Sequence, residues 1–119
     1  LDLGGNNIIS IESNSFNKLI NLKHLNLSVS HLPILTDSHF SGLSSLETLH
    51  IALCYIEKIE PNAFKDLKNL KHLNLSYNLI QTIDSNAFNH LNNLEELELN
   101  ANKISSINCE AFSSLTSLR

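Results

Sequence analysis

The skeleton LxxLxLxxNxIxxI in Leu70 to Ile83 (LKHLNLSYNLIQTI) returns along the whole chain without an insertion, and that recurrence limits the fold more than any other feature. Counting from Asn78, apolar residues fall 2, 5, 10, 13, 16, 19 and 21 places later, and Asn102 arrives at 24. Carried backwards, the same offsets place the origin on Cys54, Ser30 and Asn6, and every apolar slot they define holds Leu, Ile or Phe. All five Phe residues (Phe16, Phe40, Phe64, Phe88, Phe112) occupy one slot. A period kept this strictly describes one supersecondary unit stacked on the next, each burying its apolar side against its neighbours. The expectation is a solenoid of about five repeats over residues 1–119, without one closed core.

Each repeat opens on a short stretch in which apolar residues alternate with polar ones, as in Leu25-Asn26-Leu27 and Leu97-Glu98-Leu99. Alternation gives a strand with one buried and one wet face. Stacked in parallel about 4.8 Å apart, such strands form the inner sheet of an α/β solenoid, a right-handed coil whose outer side is built of turns or short helical pieces around the Phe slot. The outer path is longer per repeat, so the coil curves. In the second repeat Ser30 replaces the Asn and Pro33 enters the turn, where no ladder hydrogen bond is required of it. In the third, Cys54 takes the Asn slot. Both substitutions remove a side chain that would satisfy buried backbone groups of the loop, so looser loops are expected there.

The formal charge of −4, with six His counted neutral, argues against a surface built for phosphate backbones at neutral pH. No run approaches the roughly 18 apolar residues needed to span a bilayer, so the segment is not expected to contact membrane. Cys54 lies in the origin slot and Cys109 seven places after its own origin, on different parts of the coil, so they are not expected to pair. The chain starts inside a strand at Leu1-Asp2-Leu3 and stops inside a repeat, which reads as the interior of a longer solenoid without caps.

Asn-x-Ile-x-x-Ile followed by Ala-Phe-x-x-Leu (Ala63-Phe64, Ala87-Phe88, Ala111-Phe112) at this period resembles the extracellular class of leucine-rich repeats. Segments such as LNLSYNLIQTI and LNANKISSINCEAF are similar to interior repeats of Toll-like receptor ectodomains. The resemblance implies recognition of a protein or pathogen-derived ligand, often with receptor dimerisation, in the extracellular space or an endosomal lumen, as in innate-immune pattern recognition. It implies no cofactor. Matrix and adhesion proteins share the motif, and for them the array would be a docking scaffold.

Candidate functional residues are those the period leaves over. Ile9, Ile20, Val29, Ile34, Leu53, Tyr55, Tyr77 and Leu79 are large, apolar and off the core slots. Five of them, Val29, Leu53, Tyr55, Tyr77 and Leu79, flank the origin slot in adjacent repeats, so stacking lines them along one rim, either as a partner contact or as half-buried packing against the next coil. The wet face of the sheet carries His24, His50 and His72, with Glu95, Glu96 and Glu98 at its C-terminal end. Zinc requires ligands near 2.1 Å, whereas His24 and His72 stand two strands apart, about 10 Å, so a metal site is not expected. Either these histidines are ordinary wet-face residues of the strand, or their protonation makes the face pH-responsive and admits an anionic ligand, nucleic acid included, in an acidified compartment. Beside it Lys23, Glu47, Lys71 and Glu95 alternate in sign from repeat to repeat. Two sequons, Asn26-Leu27-Ser28 and Asn74-Leu75-Ser76, place candidate glycosylation sites on the same face. No Ser-His-Asp or Cys-His set converges in the repeat frame, so catalysis is not expected.

Overall fold

The computed structural model describes residues 1–119. Eight short strands follow one another: β1 (His24–Asn26), β2 (Ile34–Leu35), β3 (Thr48–His50), β4 (Lys58–Ile59), β5 (His72–Asn74), β6 (Thr82–Ile83), β7 (Glu96–Glu98) and β8 (Ser106–Ile107). The main sheet is parallel, in the order β1-β3-β5-β7, and Asp2 bridges to Asn26 to give it a fifth position. Its register follows the repeat, with Leu25 opposite Leu49, Leu49 opposite Leu73 and Leu73 opposite Leu97. The chain thus winds through about four turns of a parallel-stranded solenoid, one repeat per turn.

The apolar slots become the core. In the second and third repeats all of them are buried, from Leu32, Leu35 and Phe40 through Leu73 and Leu75. Slots of the last repeat, such as Ile107 and Phe112, stay partly open because no coil covers them. The outer side takes the turn alternative, and no helix forms. Successive turns bond Leu43 N–H to Phe40 O and Leu46 N–H to Leu43 O, and the pattern recurs at Phe64-Leu67-Leu70 and Phe88-Leu91-Leu94. A step of three residues returns each side chain to the same side, which is why Phe, Leu and Leu at that spacing all point inward. Two small parallel pairs, β2-β4 and β6-β8, tie neighbouring coils where Leu35, Ile59, Ile83 and Ile107 sit, a feature the alternation pattern does not announce.

The Phe rings form a spine. Centroids of Phe40, Phe64, Phe88 and Phe112 are 5.9, 6.3 and 6.0 Å apart, with interplanar angles of 15, 11 and 9°. Parallel strands stand about 4.8 Å apart. The outer side therefore advances more per coil than the sheet, and the solenoid bends with the sheet on the inside.

The origin slot shows what Asn does and what its replacements lose. Asn78 Oδ1 accepts the N–H groups of Cys54 and Ile56 at 2.9 and 3.0 Å, while its Nδ2 donates to the carbonyls of Ile51 and Leu75 at 2.9 and 3.0 Å. Asn102 repeats the scheme one coil on, accepting from Ile80 N–H and donating to Leu75 and Leu99. The Cys54 thiol keeps only the donor half, reaching the carbonyls of Leu27 and Ala52 at 3.3 and 3.2 Å. Burial pushes its pKa up. Ser30 is too short to reach any partner, and its Oγ is buried with none. Both loops nonetheless stay fully packed, with Ser30 and Cys54 buried. The two cysteines are unpaired, Cys54 buried and Cys109 exposed.

Candidate recognition surfaces

The rim is shaped by a backbone feature hidden from the residue pattern. The residue just before each origin slot adopts a left-handed conformation: Gly5 at φ 74°, Val29 at 61°, Leu53 at 56°, Tyr77 at 54° and Ala101 at 55°. Tyr55, just after an origin slot, does the same at 57°. Only the first of these is glycine, and for a β-branched residue such as Val29 this region is an outlier, unfavourable by about 1–2 kcal/mol. The origin side chain turns inward to the ladder while its neighbours are thrown outward, and Val29, Leu53, Tyr55 and Tyr77 all stand about half exposed. With the half-buried Leu79, and with Asn7 and Ser30, they line one groove of about 300 Å³. Its volume suits a side chain or two, at the lower limit of ordinary ligand pockets.

The structure thus brings all five rim candidates together. Ile9, Ile20 and Ile34 are exposed but do not line the groove. Three contributors escape a reading by hydrophobicity: Asn7 and Ser30, which line the groove, and His31, whose ring lies 5.1 Å from that of Tyr55. The repeat offset could have found Asn7 and His31, because Asn7, His31, Tyr55 and Leu79 share one position in successive coils, whereas Ser30 is an origin residue.

On the sheet face the histidines are spread out. His24 and His72 flank Thr48, and His50 lies between Asn26 and Asn74 in the neighbouring column. His72 Nδ1 is 3.1 Å from Glu96 Oε2, so the acidic end already engages one of the three. The alternating charges do pair: Glu47 bridges Lys71 at 2.9 Å and Lys23 at 3.1 Å. Lys71 beside it, then Lys23, hold its carboxyl below the usual range, and Glu47 in turn raises the Lys71 ammonium. Glu95 turns to Arg119 at 3.6 Å, extending the column by one member. A cavity of about 260 Å³ over Lys23, Ser45, Glu47, Asn69 and Lys71 is therefore polar, with its one carboxylate shared between two lysines. Asn26 and Asn74 both stand half-buried on this face, in β1 and β5.

A family profile described as "Leucine rich repeat" matches residues 1–56, 44–104 and 80–119. The chain is also similar to a solved structure entitled "Crystal structure of TLR13-ssRNA13 complex", with a TM-score of 0.87 and 31% identity over 94% of its length. It spans 16% of that chain. No curated protein matches it in sequence.

Proposed function

The chain belongs to the leucine-rich repeat family, and from that premise we propose that it is a stretch of a longer Toll-like receptor ectodomain, recognising a protein ligand without catalysis through the apolar groove on its rim. The observation that carries this reading is the groove itself. Large apolar side chains stand outward across three adjacent coils, four of them about half exposed on left-handed backbone, and together they line one groove. Tyr side chains at the centre of such a patch are typical anchors of protein contacts. Similarity to a Toll-like receptor structure supports the receptor context, in the extracellular space or an endosomal lumen, and no helix here is long and apolar enough to cross a membrane. The neighbour's title names single-stranded RNA. For this stretch the −4 charge and the engagement of Lys23 and Lys71 by Glu47 favour protein over RNA at neutral pH.

Peptides selected on the chain from a random library provide the probe. The expected outcome is that those with an aromatic anchor lose on the order of thirtyfold in affinity, as for a hot-spot residue, on Tyr77→Glu or Leu53→Glu, and keep it on His50→Gln. Peptides indifferent to both rim changes but lost on His50→Gln would move recognition to the sheet face.

A further inference from the structure

We propose that Asn74 bears an N-linked glycan and that Asn26, spelled by the same Asn-Leu-Ser sequon, does not, so that one oligosaccharide stands on the sheet face and leaves the rim groove as the open surface. The inference rests on the secretory-route part of the function proposed above. Both asparagines occupy the same strand position, and both use Oδ1 to accept the N–H of the serine two residues on, Ser28 at 3.0 Å and Ser76 at 2.9 Å. That turn fixes the amide, and the preceding coil then decides what becomes of Nδ2, the atom that would carry the sugar.

At Asn26 the preceding coil takes it. Nδ2 donates to Asp2 Oδ1 at 2.9 Å, and the same carboxylate oxygen accepts Gly4 N–H at 2.9 Å. A Cβ added at Gly4 would come within 2.7 Å of this Nδ2, so the amide nitrogen is seated against bare backbone. One sequon further along, the corresponding residues are His50 and Ala52. Ala52 has the Cβ that Gly4 lacks, no carboxylate is offered, and Asn74 Nδ2 makes no hydrogen bond to the protein. Ser76 Oγ donates to Asn74 Oδ1 at 2.6 Å, which anchors the oxygen and leaves the nitrogen as the free end.

Transfer from a polyprenyl-pyrophosphate oligosaccharide forms a bond between Nδ2 and sugar C1 as the C1–O bond to pyrophosphate breaks. The pyrophosphate leaves with the electron pair, and Nδ2 gives up one hydrogen as a proton. At Asn74 the product keeps every hydrogen bond of the fold. At Asn26 the sugar must displace the seat made by Asp2 and Gly4, so chains glycosylated there fold and leave the cell less readily. His50 and Glu98 are the register partners of Asn74, and the glycan would stand over both.

The test is to secrete the full chain from mammalian cells behind a signal sequence, deglycosylate it enzymatically in heavy-oxygen water, and read each site as labelled Asp by peptide mass spectrometry. Occupancy at Asn74 is expected to exceed that at Asn26 by roughly three- to tenfold, the worth of one hydrogen bond. Asp2→Ala should raise occupancy at Asn26 and leave Asn74 unchanged. Equal occupancy, a glycan on Asn26 alone, no glycan on either, or an Asn26 occupancy that does not respond to Asp2→Ala would each overturn the proposal. Because the signal sequence supplies the route and no binding partner is involved, this outcome is independent of the rim peptide experiment.

Discussion

Under the rim recognition proposed above, Val29 serves the surface at the expense of the fold. Its backbone is left-handed at φ 61°, where a β-branched side chain crowds its own carbonyl, and its side chain is about half exposed, so packing returns little. Asn tolerates this conformation. Val29→Asn is therefore expected to stabilise the chain by about 1 kcal/mol, relief of left-handed strain, in urea unfolding, while weakening aromatic peptides at the groove. A drop in stability would mean that Val29 is there for packing, and the displayed-surface argument would lose its support. Cys54 is the opposite case: buried, hydrogen-bonded and raised in pKa, it is a core residue that happens to be a thiol.

Among the elements, the Phe spine couples the coils. Phe64 is fully buried between Phe40 and Phe88, whereas Phe112 has a ring on one side only and is 39% exposed. Truncating a buried Phe removes both transfer energy and neighbours, about 3–5 kcal/mol. Phe64→Ala should fall in that range and Phe112→Ala well below it, compared by chemical denaturation. Equal losses would contradict a core built slice by slice. The charged column beside the sheet contributes less, since exposed pairs such as Lys23 with Glu47 are individually weak.

At the scale of the whole molecule the pH response has two sources that act in different ranges. Burial lowers the pKa of His39, against a smaller opposing pull from Glu60, and its Nδ1 accepts the N–H of Thr36 at 3.3 Å. Folding thus prefers the neutral ring, and stability falls as pH drops below the ordinary value of 6.5 toward the lowered one. Glu47, depressed by Lys71 and Lys23, supports folding above its ordinary value of 4.5, and that support is lost as pH falls further, through its folded pKa. A melting curve series should show the first loss between neutrality and mildly acid pH, and His39→Gln should remove it while the more acid loss remains. Unchanged behaviour between pH 7 and 5 in His39→Gln would assign the first loss to other histidines.

The repeat, the parallel sheet, the inward Leu residues and the Phe spine were all legible in the chain, because a fixed period with apolar residues at every slot has one economical solution: identical units stacked in register. The same period located Val29, Leu53, Tyr55, Tyr77 and Leu79 on one rim and kept Cys54 away from Cys109. It also named the charges beside the sheet, and the structure adds Arg119, 24 residues after Glu95, to that column. Only the tertiary structure decided that the outer side is turns without helix, that left-handed backbone throws the rim side chains outward, that Ser30 is stranded without a partner, and that two identical sequons differ in what holds their amide. The reason is physical. Burial depends on which slot a residue occupies, and a slot can be counted along the chain. Backbone sign recurs at one slot but is not announced by the residue types there, and hydrogen-bond choice depends on what the neighbouring coil presents at that spot, Asp2 and Gly4 in one place and His50 and Ala52 in another, which is set only once the coils are stacked.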